Sequence, residues 1–386
     1  MADFSRPASK PAPTKMELAV QLQDAIEANE VERVITLIKQ GADKESRLPN
    51  GLTPLVLAVE TGFKAVIRAL IGLNVNINSN LSVDGTTALM LASEDGNIFG
   101  VRILLEKGAE VNTRRTSDGA TALMLASHGT DMKHNDVIKL LLERGADPNI
   151  QRTTDGATAL MINIQNNFPP GLDSLLEGGA LPDIRRTSDG ATALMIASEL
   201  GYYEASIHLL KNGANPNLKR ITDGSTPLIL ASGMGADKRR LSSKLIIPNL
   251  IEHGADINAR RDTDGATALM VAVAAYNNFH NITIINELLN LGADMTIKNN
   301  NNRTALDLAR ELNHQYVIDN LEKFTAWSQE KTKATTSEEG GASSSEKATA
   351  PTPNKDKASC PSGECTISRK LRRTKSRRRR TTRRRR

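Results

Sequence analysis

The chain has 386 residues, 39% of them hydrophobic and 24% charged, which is enough apolar content to bury a large core and suggests two or three domains by length alone. Aromatic residues make up only 3%, with one tryptophan, so the core has to be built from Leu, Ile, Val, Ala and Met, and a tyrosine-rich β-sandwich is disfavoured. The formal charge of +6 averages two unlike parts. Residues 369 to 386 hold 13 Lys and Arg and no acid, which leaves 37 bases against 44 acids, net −7, in residues 1 to 368. The two cysteines, Cys360 and Cys365, cannot staple the body, which fits a reducing compartment.

In chain order, residues 1 to 15 are rich in proline (Pro7, Pro11, Pro13) and have no apolar stretch of the kind a secretory signal needs. They read as an unstructured N-terminal segment. No run of 18 apolar residues occurs, so no membrane span is expected. Residues 16 to 41 form a charged helix pair. One unit is then reused: DGTTALM from Asp84, DGATALM from Asp118, Asp155, Asp189 and Asp264, and DGSTPLI from Asp223. With threonine as ruler, Thr53, Thr87, Thr121, Thr158, Thr192, Thr226, Thr267 and Thr304 lie 34, 34, 37, 34, 34, 41 and 37 residues apart. The longer intervals mark insertions.

Each threonine is suited to capping a helix, and Pro54 and Pro227 take the first helical position, where a missing N–H costs little. Each Asp-Gly pair upstream signals a tight turn. A leucine-rich second helix then stops at Gly108, Gly145, Gly179, Gly213, Gly254 or Gly292, with Gly41 ahead of the series and Asn74 in the register that lacks glycine. Both residue types tolerate the left-handed conformation that closes a helix. RTALDLARELNHQYVIDNLEKF from Arg303 closes the series. Residues 328 to 368, rich in Ser, Thr, Lys, Glu and Gly, read as an unstructured linker, because they cannot bury enough apolar surface to fold.

Turn, short helix, short helix and loop, repeated, resembles the ankyrin-repeat family. TALMLAS with LLEKGAEVN (Thr87 to Asn112) matches the family pattern, and the match recurs from Thr121 to Asn149, Thr192 to Asn217 and Thr226 to Asn258. The resemblance covers about residues 16 to 324 and implies an all-α solenoid of eight to nine helix-turn-helix units with projecting β-turn fingers. Two departures stand out. Met90, Met124, Met161, Met195 and Met270 replace the family's histidine, so apolar packing has to substitute for its hydrogen bonds. Most loops also carry one residue beyond the common period, which should lengthen or bulge the finger. In the unit at Asp155, INIQNNFPPGL with Pro169 and Pro170 predicts a local distortion. Single units cannot bury their own apolar faces, so stability must come from stacking between neighbours, with polar end caps.

No H-E-x-x-H, G-x-S-x-G or Walker motif is present. His128, His134, His208, His253, His280 and His314 lie at scattered registers without metal-ligand spacing. GMGADKRR from Gly233 resembles a phosphate-gripping loop, yet it lies between two helices and reads as an insertion turn. Cys360 and Cys365 have the spacing of half a zinc site with no second half. No catalytic residue, metal or cofactor is expected.

The fingers are more informative. Arg115, Arg152, Arg186, Arg220 and Arg261 share one register, and Arg114, Gln151, Arg185, Lys219 and Arg260 the register before it; nine of the ten are cationic. Stacking would make them a basic stripe suited to an acidic segment or a phosphate backbone, although Asp118, Asp155, Asp189, Asp223 and Asp264 cancel part of the field. The tail carries Arg369, Lys370, Arg372, Arg373, Lys375, Arg377, Arg378, Arg379, Arg380, Arg383, Arg384, Arg385 and Arg386. It has no aromatic residue for base stacking, so it reads as a nuclear-import signal, a non-specific RNA or DNA contact, or, lacking a hydrophobic helper, less readily a lipid contact. Phosphorylation of Thr374, Ser376, Thr381 or Thr382 would weaken any of these.

The family resemblance implies a non-enzymatic scaffold or adaptor that grips a protein on its concave face. With the tail added, the expectation is an intracellular monomer of nucleus or cytoplasm, or of a host cell, whose tail engages a transport receptor, RNA or DNA. The alternative is a nucleic-acid-associated protein that contacts phosphates with tail and finger stripe together.

Overall fold

The computed structural model describes residues 13–78, 84–233, 240–276 and 279–338. Every regular element among them is a helix, and the helices follow one another in pairs. The first three pairs are α1 (Lys15–Glu27) with α2 (Val31–Lys39), α3 (Pro54–Glu60) with α4 (Lys64–Gly72), and α5 (Ala88–Glu94) with α6 (Ile98–Glu106). Next come α7 (Ala122–Ala126) with α8 (Met132–Glu143), α9 (Ala159–Gln165) with α10 (Pro169–Glu177), and α11 (Ala193–Leu200) with α12 (Tyr203–Lys211). The last are α13 (Pro227–Ser232) with α14 (Arg240–Glu252), α15 (Ala268–Ala274) with α16 (Phe279–Asn290), and α17 (Ala305–Glu311) with α18 (Gln315–Glu338). The chain divides into two units, Met1–Glu330 and Lys331–Arg386, and the helix pairs lie in the first but for the last residues of α18.

First helices stack on first helices from α1 to α17, and second helices on second helices from α2 to α16. The pattern follows from where the leucines sit. Leu55, Leu89, Leu123, Leu160, Leu194, Leu228 and Leu269 occupy one position of the first helices, and Leu70, Leu104, Leu141, Leu175, Leu209, Leu250 and Leu288 one position of the second. All are buried between neighbouring pairs, each removing about 1.5–3 kcal/mol worth of apolar surface from water. A lone pair would leave the faces its neighbours now cover wet.

The local signals work as the sequence predicts. Side chains of Thr87, Thr121, Thr158, Thr192, Thr226, Thr267 and Thr304 accept the N3 backbone N–H of the helix they precede. Thr53 is the exception, its hydroxyl buried without a partner. The five methionines that replace the expected histidine are all buried, so packing does substitute there. Gly108 lies at φ +89° and Asn74 at +55°. At the first, Gly108 N–H reaches the Leu105 carbonyl and Ala109 N–H the Leu104 carbonyl, the paired bonds of a Schellman stop. The insertions lengthen second helices: α8 and α16 have 12 residues where α6, α10 and α12 have 9.

Two readings need correction. Pro169 and Pro170 do not distort their unit: they take the first two positions of α10, which is as long as α12. The departure lies one helix earlier, at Asn163. This residue stands where other units have Ala92, Ala126, Ala197 or Ala231, is fully buried, and has neither amide atom partnered. A Cβ on Gly171 would come within 2.2 Å of its Nδ2, so the glycine is what makes room. The second correction is at the C-terminal end, where α18 continues to Glu338, into the segment that composition alone marks as an unstructured linker. The proline-rich start, residues 234–239 of the insertion loop, Cys360, Cys365 and the basic tail lie outside the described residues.

Neighbouring units are also joined by an asparagine staple. Asn112 Nδ2 donates to the Gly145 carbonyl while its Oδ1 accepts from Asp147 N–H, at 3.1 and 2.9 Å. Asn149 and Asn217 repeat the arrangement on Gly179 with Leu181 and on Gly254 with Asp256. At the equivalent position Asp183 can only accept, from Asn215 N–H at 3.0 Å, and has no proton to give the Gly213 carbonyl. Asp183→Asn is therefore expected to complete the staple and stabilise the array by roughly 0.5–1.5 kcal/mol. A higher urea midpoint in equilibrium unfolding would show it; an unchanged or lower midpoint would count against the staple as a stabilising contact.

Candidate functional site

Each finger is a short turn closed by its own backbone. Arg115 N–H donates to the Ala120 carbonyl at 2.8 Å and Gly119 N–H returns to the Arg115 carbonyl at 2.7 Å, leaving Thr116 to Gly119 at the tip. The same two bonds recur around Arg152, Arg186, Arg220 and Arg261. Fingers also bond to one another: Thr153 N–H donates to the Asp118 carbonyl, Ser188 N–H to Asp155, Ile221 N–H to Asp189, and Asp262 N–H to Asp223. The tip glycine serves two ends here. Gly156 sits at φ +77°, and a Cβ on it would lie 2.3 Å from the Thr187 nitrogen of the next finger. Only a residue without a side chain allows both the turn and the approach.

The arginine register that looks like a free basic stripe in the sequence is held inside the fingers. Arg115 grips Asp118 with two bonds, Nε to Oδ1 at 2.9 Å and Nη2 to Oδ2 at 2.7 Å. Arg152 does the same to Asp155, Arg186 to Asp189, Arg220 to Asp223 and Arg261 to Asp264. These forks are about one-fifth exposed at Arg115, Arg186 and Arg220. Each aspartate also accepts a backbone N–H two residues on, such as Ala120 N–H for Asp118. The arginine bond, helped by that backbone bond, holds the Asp118 carboxyl at a pKa of about 2 and Asp155, Asp189, Asp223 and Asp264 below the ordinary carboxylate range.

The register before it forms a side-chain ladder running from finger to finger. Arg114 Nη2 donates to the Gln151 carbonyl at 2.6 Å, Gln151 Nε2 to the Arg185 carbonyl at 2.8 Å, and Arg185 Nη1 to the Lys219 carbonyl at 2.6 Å. Lys219 Nζ then donates to the Arg260 carbonyl at 3.0 Å and Arg260 Nη2 to Asn300 Oδ1 at 3.0 Å. The alignment expected from stacking is present: Arg114, Gln151, Arg185 and Lys219 each reach the same register of the next finger, and Arg260 reaches a side chain two positions beyond it. Gln151, the one uncharged member, shows what the register requires: a long side chain ending in an N–H donor. Spacing could not reveal this, because the acceptors are backbone carbonyls about one repeat away.

The last exposed position of the first helices was not evident from the sequence. Glu60, Glu94, His128, Gln165 and Glu199 occupy it, each exposed at or just past the end of a helix whose other residues are mostly buried. They stand beside the fingers. Glu199 Oε1 lies 3.3 Å from Arg220 Nη1. The His128 imidazole is pushed below its ordinary value by burial and by the nearby Arg152 guanidinium. The signal available in the sequence was variation in charge at one fixed offset from threonine, within an otherwise repeated helix. Together the ordered fingers and this column make one surface with a constant frame and variable exposed groups. Among the described residues no group of three or more His, Cys, Asp or Glu is placed to hold a metal ion, and no helix is long and apolar enough to cross a membrane.

A family model for ankyrin repeats in three copies matches residues 22–115, 73–152, 123–220, 208–299 and 241–323, overlapping across most of the chain. A search of curated proteins gives no match. Among solved structures, the ankyrin repeat domain of Bcl-3, described as a unique member of the IkappaB protein family, is similar at 27% identity. The match covers 60% of this chain and 98% of that one with a TM-score of 0.52.

The Arg–Asp forks set an acid limit. A carboxyl with a depressed native pKa contributes stability that is complete above its unfolded value near 4 and is lost as pH falls through its native value, about 2 at Asp118. The urea midpoint should therefore fall steeply between about pH 4 and pH 2. In a chain with Asp118→Asn, Asp155→Asn and Asp189→Asn the midpoint should start lower at pH 6, the unfolding free energy being less by about 1 kcal/mol per fork, and fall less steeply. An equal slope in both chains would mean that the forks contribute nothing.

Proposed function

The chain belongs to the ankyrin-repeat family, and from that premise we propose that its repeats hold a protein partner on the face where fingers and first helices meet, while residues 369 to 386 act as a nuclear-import or polyanion-binding segment. Repeats of this family generally mediate protein–protein interaction and are generally non-enzymatic. The observation that supports the reading here is the column Glu60, Glu94, His128, Gln165 and Glu199: chemically different groups at one exposed register, on a frame fixed by buried leucines and bonded fingers. Rigid scaffolds that present variable groups lose little conformational entropy on binding. The frame is built; the exposed groups select.

The second reading, a nucleic-acid-associated protein using fingers and tail together, is supported by the tail's 13 bases. The Arg–Asp forks weigh against the finger half of it, since five of the stripe's guanidiniums already face a carboxylate.

Removing residues 369 to 386 separates the two. With a labelled single-stranded RNA and duplex DNA at several salt concentrations, the scaffold reading expects the truncated chain to lose retention altogether while still cross-linking to a protein partner. The second reading expects retention that is weakened but still salt-dependent. Full retention without the tail would overturn the assignment of polyanion binding to it.

A further inference from the structure

Charge left over on the fingers recurs at a defined pitch. Arg115, Arg152, Arg186, Arg220 and Arg261 are neutralised within their own fingers. Of the ladder register, Gln151 is uncharged and Lys219 pairs with Asp262 at 2.6 Å. Arg114, Arg185 and Arg260 remain, all exposed, each bonded to a neutral carbonyl or amide oxygen and none paired with a carboxylate among the described residues. Across these five fingers the uncompensated cations of the register therefore fall on every second one, while Lys298, exposed at the same register of the finger after Arg260, stands outside the alternation.

Their spacing follows from the backbone. Within a repeat, one hydrogen-bonded step joins the legs of a finger (Arg152 N–H to the Ala157 carbonyl) and a second joins it to the next (Ser188 N–H to the Asp155 carbonyl). Two such steps of ~4.8 Å give a finger pitch of ~10 Å, in line with the 8–10 Å between packed helices. Alternate fingers lie about 20 Å apart, the span of roughly six residues of extended chain at ~3.3 Å each. Exposed hydroxyls of Thr116, Ser117, Thr153, Thr154, Thr187 and Ser188 lie between, able to donate to carbonyls or carboxylates.

We infer that the finger edge receives an extended, acidic protein segment with carboxylates about six residues apart, set against Arg114, Arg185 and Arg260. The inference rests on the protein-binding reading above and gives that partner its chemistry. A nucleic acid fits the edge poorly. Duplex DNA carries a charge every ~1.7 Å of its axis, so one cation per ~20 Å would neutralise little of it.

Gln151 supplies the control. It keeps the ladder bond without charge, so Arg114→Gln, Arg185→Gln and Arg260→Gln together should remove the cations and leave the frame intact. The measurement uses the full-length chain with the 13 bases of residues 369 to 386 changed to Gln, so that the tail contributes nothing. Fluorescence anisotropy would follow a Gly/Ser peptide carrying five Glu at six-residue intervals, the same five Glu placed consecutively, and a 20-nucleotide single-stranded RNA. The expected result is that the spaced peptide binds best and loses about tenfold in affinity in the triple variant, as three partly exposed ion pairs would give, with the thermal midpoint unchanged.

Equal binding of the spaced peptide by parent and triple variant overturns the inference. Equal affinity for the clustered peptide removes the pitch, and preference for the RNA replaces the acidic segment with a phosphate backbone. In the first of these cases, a protein partner still cross-linked by the truncated chain would leave the binding function standing and discard only its acidic character.

Discussion

Each helix pair is too small to bury its own apolar face, and the remaining features of the structure answer to that shortage. Leu89, Leu123 and Leu160 in the first helices, and Leu104, Leu141 and Leu175 in the second, are buried only because a neighbouring pair covers them. Stability is then a sum over interfaces between adjacent units, and a defect in one is felt mostly there. The polar connections obey the same nearest-neighbour rule. The asparagine staple, the bond from one finger's backbone to the next, and the side-chain ladder each reach one repeat and no further.

Most of the charge that makes the fingers look like a binding stripe belongs to this architecture. A forked Arg–Asp pair within a tight turn fixes the turn, satisfies backbone N–H groups through the same carboxylate, and leaves little net field. The ladder does the complementary task between turns. A long side chain with N–H donors covers a carbonyl that would otherwise face solvent alone, and Arg, Lys and Gln all perform it. What the frame leaves over, among the described residues of these fingers, is the charge of Arg114, Arg185 and Arg260 and the variable column at the ends of the first helices.

The unit between Asp155 and Gly179 shows how far the repeat tolerates change. Two prolines at the start of α10 are harmless because no intrahelical bond needs their N–H. A buried asparagine with no partner costs more, since both polar atoms give up water and gain nothing. The adjoining junction is also the one where an aspartate replaces the stapling asparagine. Both departures fall in one stretch of the array.

By itself the sequence determined the repeat, its capping threonines, its glycine and asparagine stops and the leucines of the core. Each of these is local or strictly periodic, and a fixed offset from Thr87 or Thr121 suffices to find it. It also aligned the arginines correctly. Only the tertiary structure decided what those arginines do, because a guanidinium three residues from an aspartate can either fork onto it or face solvent, and composition is the same in both cases. The ladder from Arg114 through Gln151 to Arg260, the orphaned amide of Asn163 and the exposed column at Glu94 and His128 depend on atoms brought close by stacking units some 35 residues apart in the chain. Neither the carbonyl acceptors nor the space around an amide leaves a mark on residue identity, which is why folding had to place them before they could be recognised.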